Sequence, residues 1–264
     1  MTLSKSEFEN FKQLVFKEVG ISLSDDKIEL VKSRLYTRLM YYKIDCYSQY
    51  LKILQQNHQE IVYMVNLITT NETYFFREEL HFDFLKHLVK DLKLNQKIRV
   101  WSAAASVGAE AYSIAMVLDD LLTPNQWEIL GSDINTDVLE KAKKGLYCES
   151  WVDKIPQYYK EKYCLKGKGK HKGQFLIDRS LLYNIKFERN NLTKINRALG
   201  VFDVIFLRNV LIYFDTEMKK KVIKNILLNL KPNGYLIISL TESLEGLNIS
   251  QLKKVQSSIY QKVG

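Results

Sequence analysis

The stretch that most constrains the fold is Arg99-Val-Trp-Ser-Ala-Ala-Ala-Ser-Val-Gly-Ala-Glu-Ala-Tyr-Ser113. A short apolar run gives way to small residues around Gly108 and then to a helix-forming segment. A strand that enters a helix through small side chains lets a ligand approach the backbone at the turn. The alternation continues downstream, where Ile98-Arg-Val-Trp101, Trp127-Glu-Ile-Leu130, Phe202-Asp-Val-Ile-Phe-Leu207 and Tyr235-Leu-Ile-Ile-Ser-Leu240 are separated by amphipathic helical stretches. This pattern predicts an α/β fold with a parallel sheet covered on both faces. Lys231-Pro-Asn-Gly234 reads as a turn ahead of the last run. Gly173-Gln-Phe-Leu-Ile-Asp178 and Leu181-Leu-Tyr-Asn-Ile-Lys-Phe-Glu188 read as the strands of a hairpin, a small antiparallel insertion.

The first quarter of the chain follows a different period. From residue 7 to about residue 67 apolar residues recur at helical spacing, as in Phe8, Phe11, Leu14 and Val15 and again in Ile28, Val31, Leu35 and Leu39. Ser24-Asp-Asp-Lys27 offers N-cap chemistry to the second helix. That helix carries Lys27, Lys32, Arg34, Arg38 and Lys43 against one acid, Glu29. It is either a binding face or an ordinary solvated surface.

With 264 residues and 46% hydrophobic content the chain has enough apolar surface for one large domain and one small one. No apolar run reaches the roughly 20 residues of a bilayer span, and the polar start Met1-Thr-Leu-Ser-Lys-Ser-Glu7 is unlike a secretory signal, so a soluble cytoplasmic protein is expected. Cys46, Cys148 and Cys164 form no C-x-x-C pair and read as buried, inert thiols. His58, His81, His87 and His171 have no metal-site spacing and read as surface or partly packed residues, so no metal is expected. The net charge of +9 is uneven: residues 141–197 hold fifteen Lys/Arg against five Asp/Glu. Much of that excess lies around Lys166-Gly-Lys-Gly-Lys-His-Lys172, a solvated turn without the interleaved aromatics of a nucleic-acid arm.

Ligands of open α/β sheets sit at the carboxyl ends of the strands. There the sequence offers Ser106-Val-Gly108 and Glu110 after the first strand, and Asp133 after the second, where a ribose-binding acid or a helix N-cap would stand. Glu110 in the first helical turn would repel a pyrophosphate. It suits a cofactor with cationic amino and sulfonium groups, which favours S-adenosylmethionine over NAD or ATP.

Asn71-Glu-Thr-Tyr-Phe-Phe-Arg77, Val100-Trp-Ser-Ala-Ala-Ala-Ser106, Gly131-Ser-Asp-Ile-Asn-Thr-Asp-Val-Leu-Glu-Lys-Ala142, Phe202-Asp-Val-Ile-Phe-Leu-Arg-Asn-Val-Leu-Ile-Tyr-Phe-Asp215 and Thr241-Glu-Ser243 together resemble the CheR family of chemotaxis receptor methyltransferases. Gly20-Ile-Ser-Leu-Ser24 and Ser33-Arg-Leu-Tyr-Thr-Arg-Leu39 resemble that family's N-terminal helical domain. The resemblance implies a helical receptor-docking domain over residues 1–70 and a Rossmann-like class I methyltransferase domain over 71–264. It also implies a linker over 71–80 and an inserted β-subdomain over about 158–190.

The resemblance further implies methyl transfer from S-adenosylmethionine, with S-adenosylhomocysteine as product, to glutamate side chains on the cytoplasmic helices of a membrane chemoreceptor. Asn71, Thr73, Arg77, Gly108, Glu110, Asp133, Asn191, Leu192, Arg208 and Asn209 match cofactor-binding positions, and Arg77 and Tyr213 the residues nearest the transferred methyl. Lys27, Lys32, Arg34 and Arg38 become candidates for electrostatic docking. The β insertion resembles a subdomain that in some members grips a receptor's C-terminal peptide; nucleic acid and membrane insertion are not implied. One departure stands out: Val107-Gly-Ala-Glu-Ala111 replaces the family's usual Thr-Gly-Glu-Glu-Pro and keeps only the second acid, Glu110. Two alternatives are a sensor that binds S-adenosylmethionine without transferring methyl, and a nucleic-acid methyltransferase. Against the latter, Arg208-Asn-Val-Leu211 stands where an Asn/Asp-Pro-Pro-aromatic stretch would be needed.

Overall fold

The computed structural model describes residues 2–91 and 97–263. Four helices, α1 (Lys5–Val19), α2 (Ile28–Tyr42), α3 (Tyr47–Gln56) and α4 (His58–Ile68), form the N-terminal unit. A capping box between Ser4 and Glu7 starts α1, and Gly20 in the left-handed region ends it. Phe8, Phe11, Val15 and Val19 of α1 meet Val31, Leu35 and Leu39 of α2 around the edge-on rings of Tyr47 and Phe11, whose centres are 6.3 Å apart. Ser24 does not cap α2, because its hydroxyl turns to Asp26 and a tight turn, Asp25–Lys27, leads into the helix.

Buried Glu60 on α4 is the polar centre of this unit. It accepts Arg38 Nε at 2.7 Å and Nη2 at 2.6 Å, Tyr42 Oη at 3.0 Å and Tyr50 Oη at 2.7 Å. A carboxylate taken out of water needs a counter-charge and filled lone pairs. Arg38, expected on an open docking face, supplies both and stacks on Tyr41 and Tyr63. Arg34 also turns inward, donating Nη1 to the carbonyls of Ile68 and Thr69 at 2.6 and 3.1 Å, where α4 ends.

The remainder runs α5 (Leu80–Asp91), β1 (Ile98–Ser102), α6 (Ala109–Leu121), β2 (Trp127–Asp133), α7 (Thr136–Lys144), β3 (Leu146–Cys148), α8 (Gln157–Tyr163), β4 (Cys164–Lys166), β5 (Gln174–Ile177), α9 (Arg179–Leu182), β6 (Ile185–Arg189), β7 (Phe202–Phe206), α10 (Thr216–Leu227), β8 (Leu230–Ile237), β9 (Leu252–Gln256) and β10 (Ile259–Lys262). Seven strands in the order β6-β2-β1-β7-β8-β10-β9 form one sheet, parallel through β8 and antiparallel at β10 and β9. The alternation expected of strands sends Val100, Val204 and Phe206 to one face, with α5 and α6, and Trp101, Ile205 and Leu236 to the other, with α10.

Several local expectations are corrected. Of the two runs read as a hairpin, only the first joins the small sheet, as β5 between β3 and β4. The second becomes β6, parallel to β2. The turn of α9 between them redirects the chain, and Ile185 and Phe187 are buried as a main-sheet strand requires. The small sheet therefore opens at Leu146 and closes at Ile177, earlier than 158–190. Lys231-Pro-Asn-Gly234 lies within β8 rather than ahead of it: Phe202 pairs with Leu230 and Val204 with Tyr235, so the turn bulges out of the ladder. The hairpin of β9 and β10 carried too little alternation to be read. Cys148, expected buried, is exposed because β3 turns that position outward. His81 is fully buried on α5.

Candidate active site

The chain leaves β1 toward β2 and β6 in one direction and builds β7 and β8 in the other, so a crevice opens at the carboxyl ends of β1 and β7. A cavity of about 580 Å³ occupies it, with Ile21, Leu23 and Arg34 of the helical unit facing Ala103, Ser106, Asp133 and Asn209 of the sheet. Two contacts hold the units around it. Asn191 Nδ2 donates to the Glu18 carbonyl at 2.8 Å, and the Ser22 amide donates to the Tyr213 carbonyl at 2.9 Å.

Asn71, Thr73, Arg77, Glu110, Asp133, Asn191, Leu192, Arg208, Asn209 and Tyr213 all line this cavity, as do Lys27 and Arg34. Gly108 does not. It caps α6 at φ +89°, and a Cβ there would lie 2.9 Å from the Ala142 methyl and 3.2 Å from the Phe187 ring, so close packing requires the glycine. Ser106 takes the place at the cavity wall, its hydroxyl donating to the Asn71 carbonyl at 2.9 Å. Lys32 stands on the surface, paired with Glu29 at 2.9 Å.

Asp133 is held by two amides, Ser106 N at 2.8 Å and Asn135 N at 2.9 Å. Burial pushes its carboxyl above the usual aspartate range, with those amides opposing the shift. Below the cavity Arg208, with its side chain 2% exposed, joins three segments. It pairs with Glu110 at 2.9 Å and Glu78 at 3.2 Å and donates to the Arg77 carbonyl. Glu110 also accepts the Ser102 hydroxyl at 2.6 Å. Burial raises the Glu78 carboxyl, but the Ser239 hydroxyl, Arg208 and the Leu240 amide outweigh it and hold Glu78 below its ordinary value. His81 packs behind this group, Nε2 bonded to Ser258 at 2.7 Å, and burial with the Arg208 charge lowers it to about 4. It is neutral at pH 7.

Glu242 is a position whose role the sequence left unread. Its carboxylate accepts the amides of Asn209 at 3.0 Å, Leu211 at 2.8 Å and Ser239 at 2.9 Å. This internal anchor fixes Asn209 in the left-handed region at φ +56°, with its side chain on Ser239 at 2.9 Å. Thr241-Glu-Ser243 is the only trace of it in the sequence. Tyr213 follows on the same loop, half-buried, its hydroxyl pushed up by burial against the opposing pull of Arg77 and Thr70. Arg77 makes one long contact, Nη1 to the Glu72 carbonyl at 3.4 Å, which leaves donors free.

A doubly wound sheet whose switch-point cavity presents carboxylates after its first two strands defines a nucleoside-binding α/β domain suited to a cationic cofactor. Glu110 and Asp133 line the cavity after the first two strands, and beneath it Glu78 and Glu110 together outnumber Arg208, so carboxylate acceptors stand where they fit the sulfonium and amino groups of S-adenosylmethionine. Comparison with known proteins agrees. Residues 71–261 match the family described as CheR methyltransferase, SAM binding domain, and residues 6–69 match CheR methyltransferase, all-alpha domain. The chain belongs to the CheR methyltransferase family, and its α/β domain binds S-adenosylmethionine. A chemotaxis protein methyltransferase of Salmonella typhimurium is 37% identical over 252 residues, covering 94% of this chain and 87% of the relative. That of Escherichia coli is 36% identical with the same coverage, and that of Borreliella burgdorferi is 31% identical over 277 residues, 99% of this chain and 96% of its own. Among the described residues no helix is long and apolar enough to cross a membrane.

Proposed function

We propose that the protein transfers the methyl group of S-adenosylmethionine to glutamate side chains on the cytoplasmic helical region of membrane chemoreceptors, forming methyl esters during chemotactic adaptation. The observation that carries this reading is Arg77: it lines the cavity near Tyr213 and, among the described residues, no carboxylate lies within ion-pair distance of it. An anion entering the cavity therefore meets an unneutralised guanidinium.

When bound, the cofactor supplies a methyl group on a positively charged sulfur. Glutamate, with an ordinary pKa of about 4.3, is already the nucleophilic anion at neutral pH, so no general base is needed. Arg77 orients one carboxylate oxygen and leaves the other free, which favours an in-line approach. A tighter grip would stabilise the ground state more than the transition state. Tyr213 offers a hydroxyl to the same pocket. Glu110, Asp133, Asn71, Thr73, Asn191, Leu192 and Asn209 hold the cofactor, with Arg208 keeping Glu110 in place. Lys27 and Lys32 offer positive charge to the acidic receptor. The small sheet of β3, β4 and β5 offers β4 as an open edge for a receptor tail peptide.

The test is incubation with radiolabelled S-adenosylmethionine and chemoreceptor-bearing membranes. Label on a receptor-sized band that mild base releases is the expected result. Base-stable label, or none, removes the glutamate assignment.

A further inference from the structure

Two of the arginines packed inside this protein come with carboxylates, Arg38 with Glu60 and Arg208 with Glu78 and Glu110, while Arg34 is held by the carbonyls of Ile68 and Thr69. Arg77 and Lys154 are matched differently. Among the described residues neither has a carboxylate within ion-pair distance, and the two share one aromatic ring instead. The Arg77 guanidinium carbon lies 5.5 Å, and Lys154 Nζ 5.7 Å, from the centre of the Tyr74 ring. A ring attracts a cation through its quadrupole by about 0.5–2 kcal/mol without cancelling the charge. Both cations thus keep their attraction for an incoming anion. Tyr74 is 40% exposed and lines the cavity beside Arg77.

The packing fixes this arrangement from both sides. Phe75, next to Tyr74, is buried among Tyr147, Trp151 and Phe175, with ring centres 4.9, 6.4 and 5.8 Å away. Lys154 ends the tight turn Glu149–Lys154 between buried Val152 and Ile155, and the Ile155 amide donates to the Val152 carbonyl at 3.0 Å. The linker and the insertion are therefore one packed unit, which brings Lys154, far from Arg77 in sequence, to the same Tyr74 ring that lines the cavity. Lys154 itself lines a small neighbouring groove with Glu79, Asp83 and Asp153, of which Asp83 is paired with Lys86 and none is within ion-pair distance of Lys154.

Resting on the glutamate reading above, we infer that Lys154 is a substrate-binding residue. With Arg77 and Tyr74 it forms a two-cation rim that draws an acidic substrate segment to the cavity and holds a second carboxylate beside the reacting one. This assigns to the insertion a part in choosing acidic substrates that is separate from any peptide bound along its strand edge.

Steady-state methylation of receptor-bearing membranes across a salt series, with calorimetry of S-adenosylhomocysteine binding in parallel, tests it. Lys154→Gln is expected to raise KM for receptor about fivefold at low salt, with the gap narrowing at high salt and product affinity unchanged. Lys154→Arg and Tyr74→Phe should stay near the unaltered protein, whereas Tyr74→Leu should follow Lys154→Gln. Lys168→Gln makes the same charge change on the insertion's exposed turn and should leave KM alone. An unaltered KM in Lys154→Gln, or an equal rise in Lys168→Gln, overturns the rim. Base-labile label from the unaltered enzyme keeps the glutamate reading in either case, while base-stable label overturns both.

Discussion

The helical unit and the floor of the cavity each enclose an arginine, and the two are matched in opposite ways. Arg38 faces one carboxylate, Glu60, whose oxygens are further filled by Tyr42 and Tyr50, so the cluster is neutral and saturated. Arg208 faces two, Glu78 and Glu110, and its Nε, like His81 Nδ1 beside it, has no hydrogen-bond partner. One arrangement closes a core. The other carries two carboxylates against one guanidinium beneath a cavity, and that surplus negative charge is what a cationic ligand can gain from.

The largest expected effect breaks the saturated cluster. Arg38→Met leaves Glu60 buried without its counter-charge and should lower unfolding free energy by about 3–5 kcal/mol in denaturant titration. Product affinity of the folded fraction should stay within about twofold, since distant sites act independently. Arg208→Met should cost comparable stability and also weaken S-adenosylhomocysteine in calorimetry. Equal affinity losses in both variants would erase the contrast.

Acid separates the clusters next. His81 is held near 4 in the fold against an ordinary 6.5, so between those values the unfolded chain binds the extra proton and stability falls as pH drops. The loss should be on the order of 2–3 kcal/mol across that window in pH-dependent unfolding, and His81→Gln should remove most of it. Glu60 lies below its ordinary value of 4.5 despite burial, because Arg38 and the two tyrosines hold its charge. Its contribution is therefore present above that value and fades only below it.

A smaller effect sharpens the ligand side. Glu110→Gln should weaken S-adenosylhomocysteine roughly tenfold, about 1.4 kcal/mol, whereas Glu60→Gln should change stability and leave affinity alone. The smallest effect concerns the outer face of α2. Lys32→Glu should move stability by less than about 0.5 kcal/mol, yet slow receptor methylation more at low salt than at high salt. Equal slowing at both would remove Lys32 from docking.

The doubly wound sheet was legible because Ile98, Val100, Trp127 and Ile129 declare buried strands by composition alone, and the helical unit because Phe8, Phe11 and Val15 keep the helical period. Of the ten cavity-lining positions from Asn71 to Tyr213, Glu110 and Asp133 were legible from their places at strand ends, and the other eight only through the resemblance. What stayed hidden depends on distant partners. Arg38 reads as a surface charge until Glu60, twenty-two positions on, folds against it. Gly108 reads as a ligand-facing glycine until Phe187 packs over it. The run at 181–188 suits a hairpin or a parallel strand equally well, and α9 decides. Glu242 carries no periodicity, because its function is to fill backbone amides of its own turn and of the loop that follows β7.

The bond from Asn191 to the Glu18 carbonyl, with that from Ser22 to Tyr213, has a consequence for how such a chain can be remodelled. One wall of the binding chamber is on loan from the neighbouring unit, so grafting a foreign helical module onto this sheet is more than a change of address for the receptor. Each transplant reshapes the chamber itself, and the module that selects a partner cannot drift independently of the one that performs the chemistry.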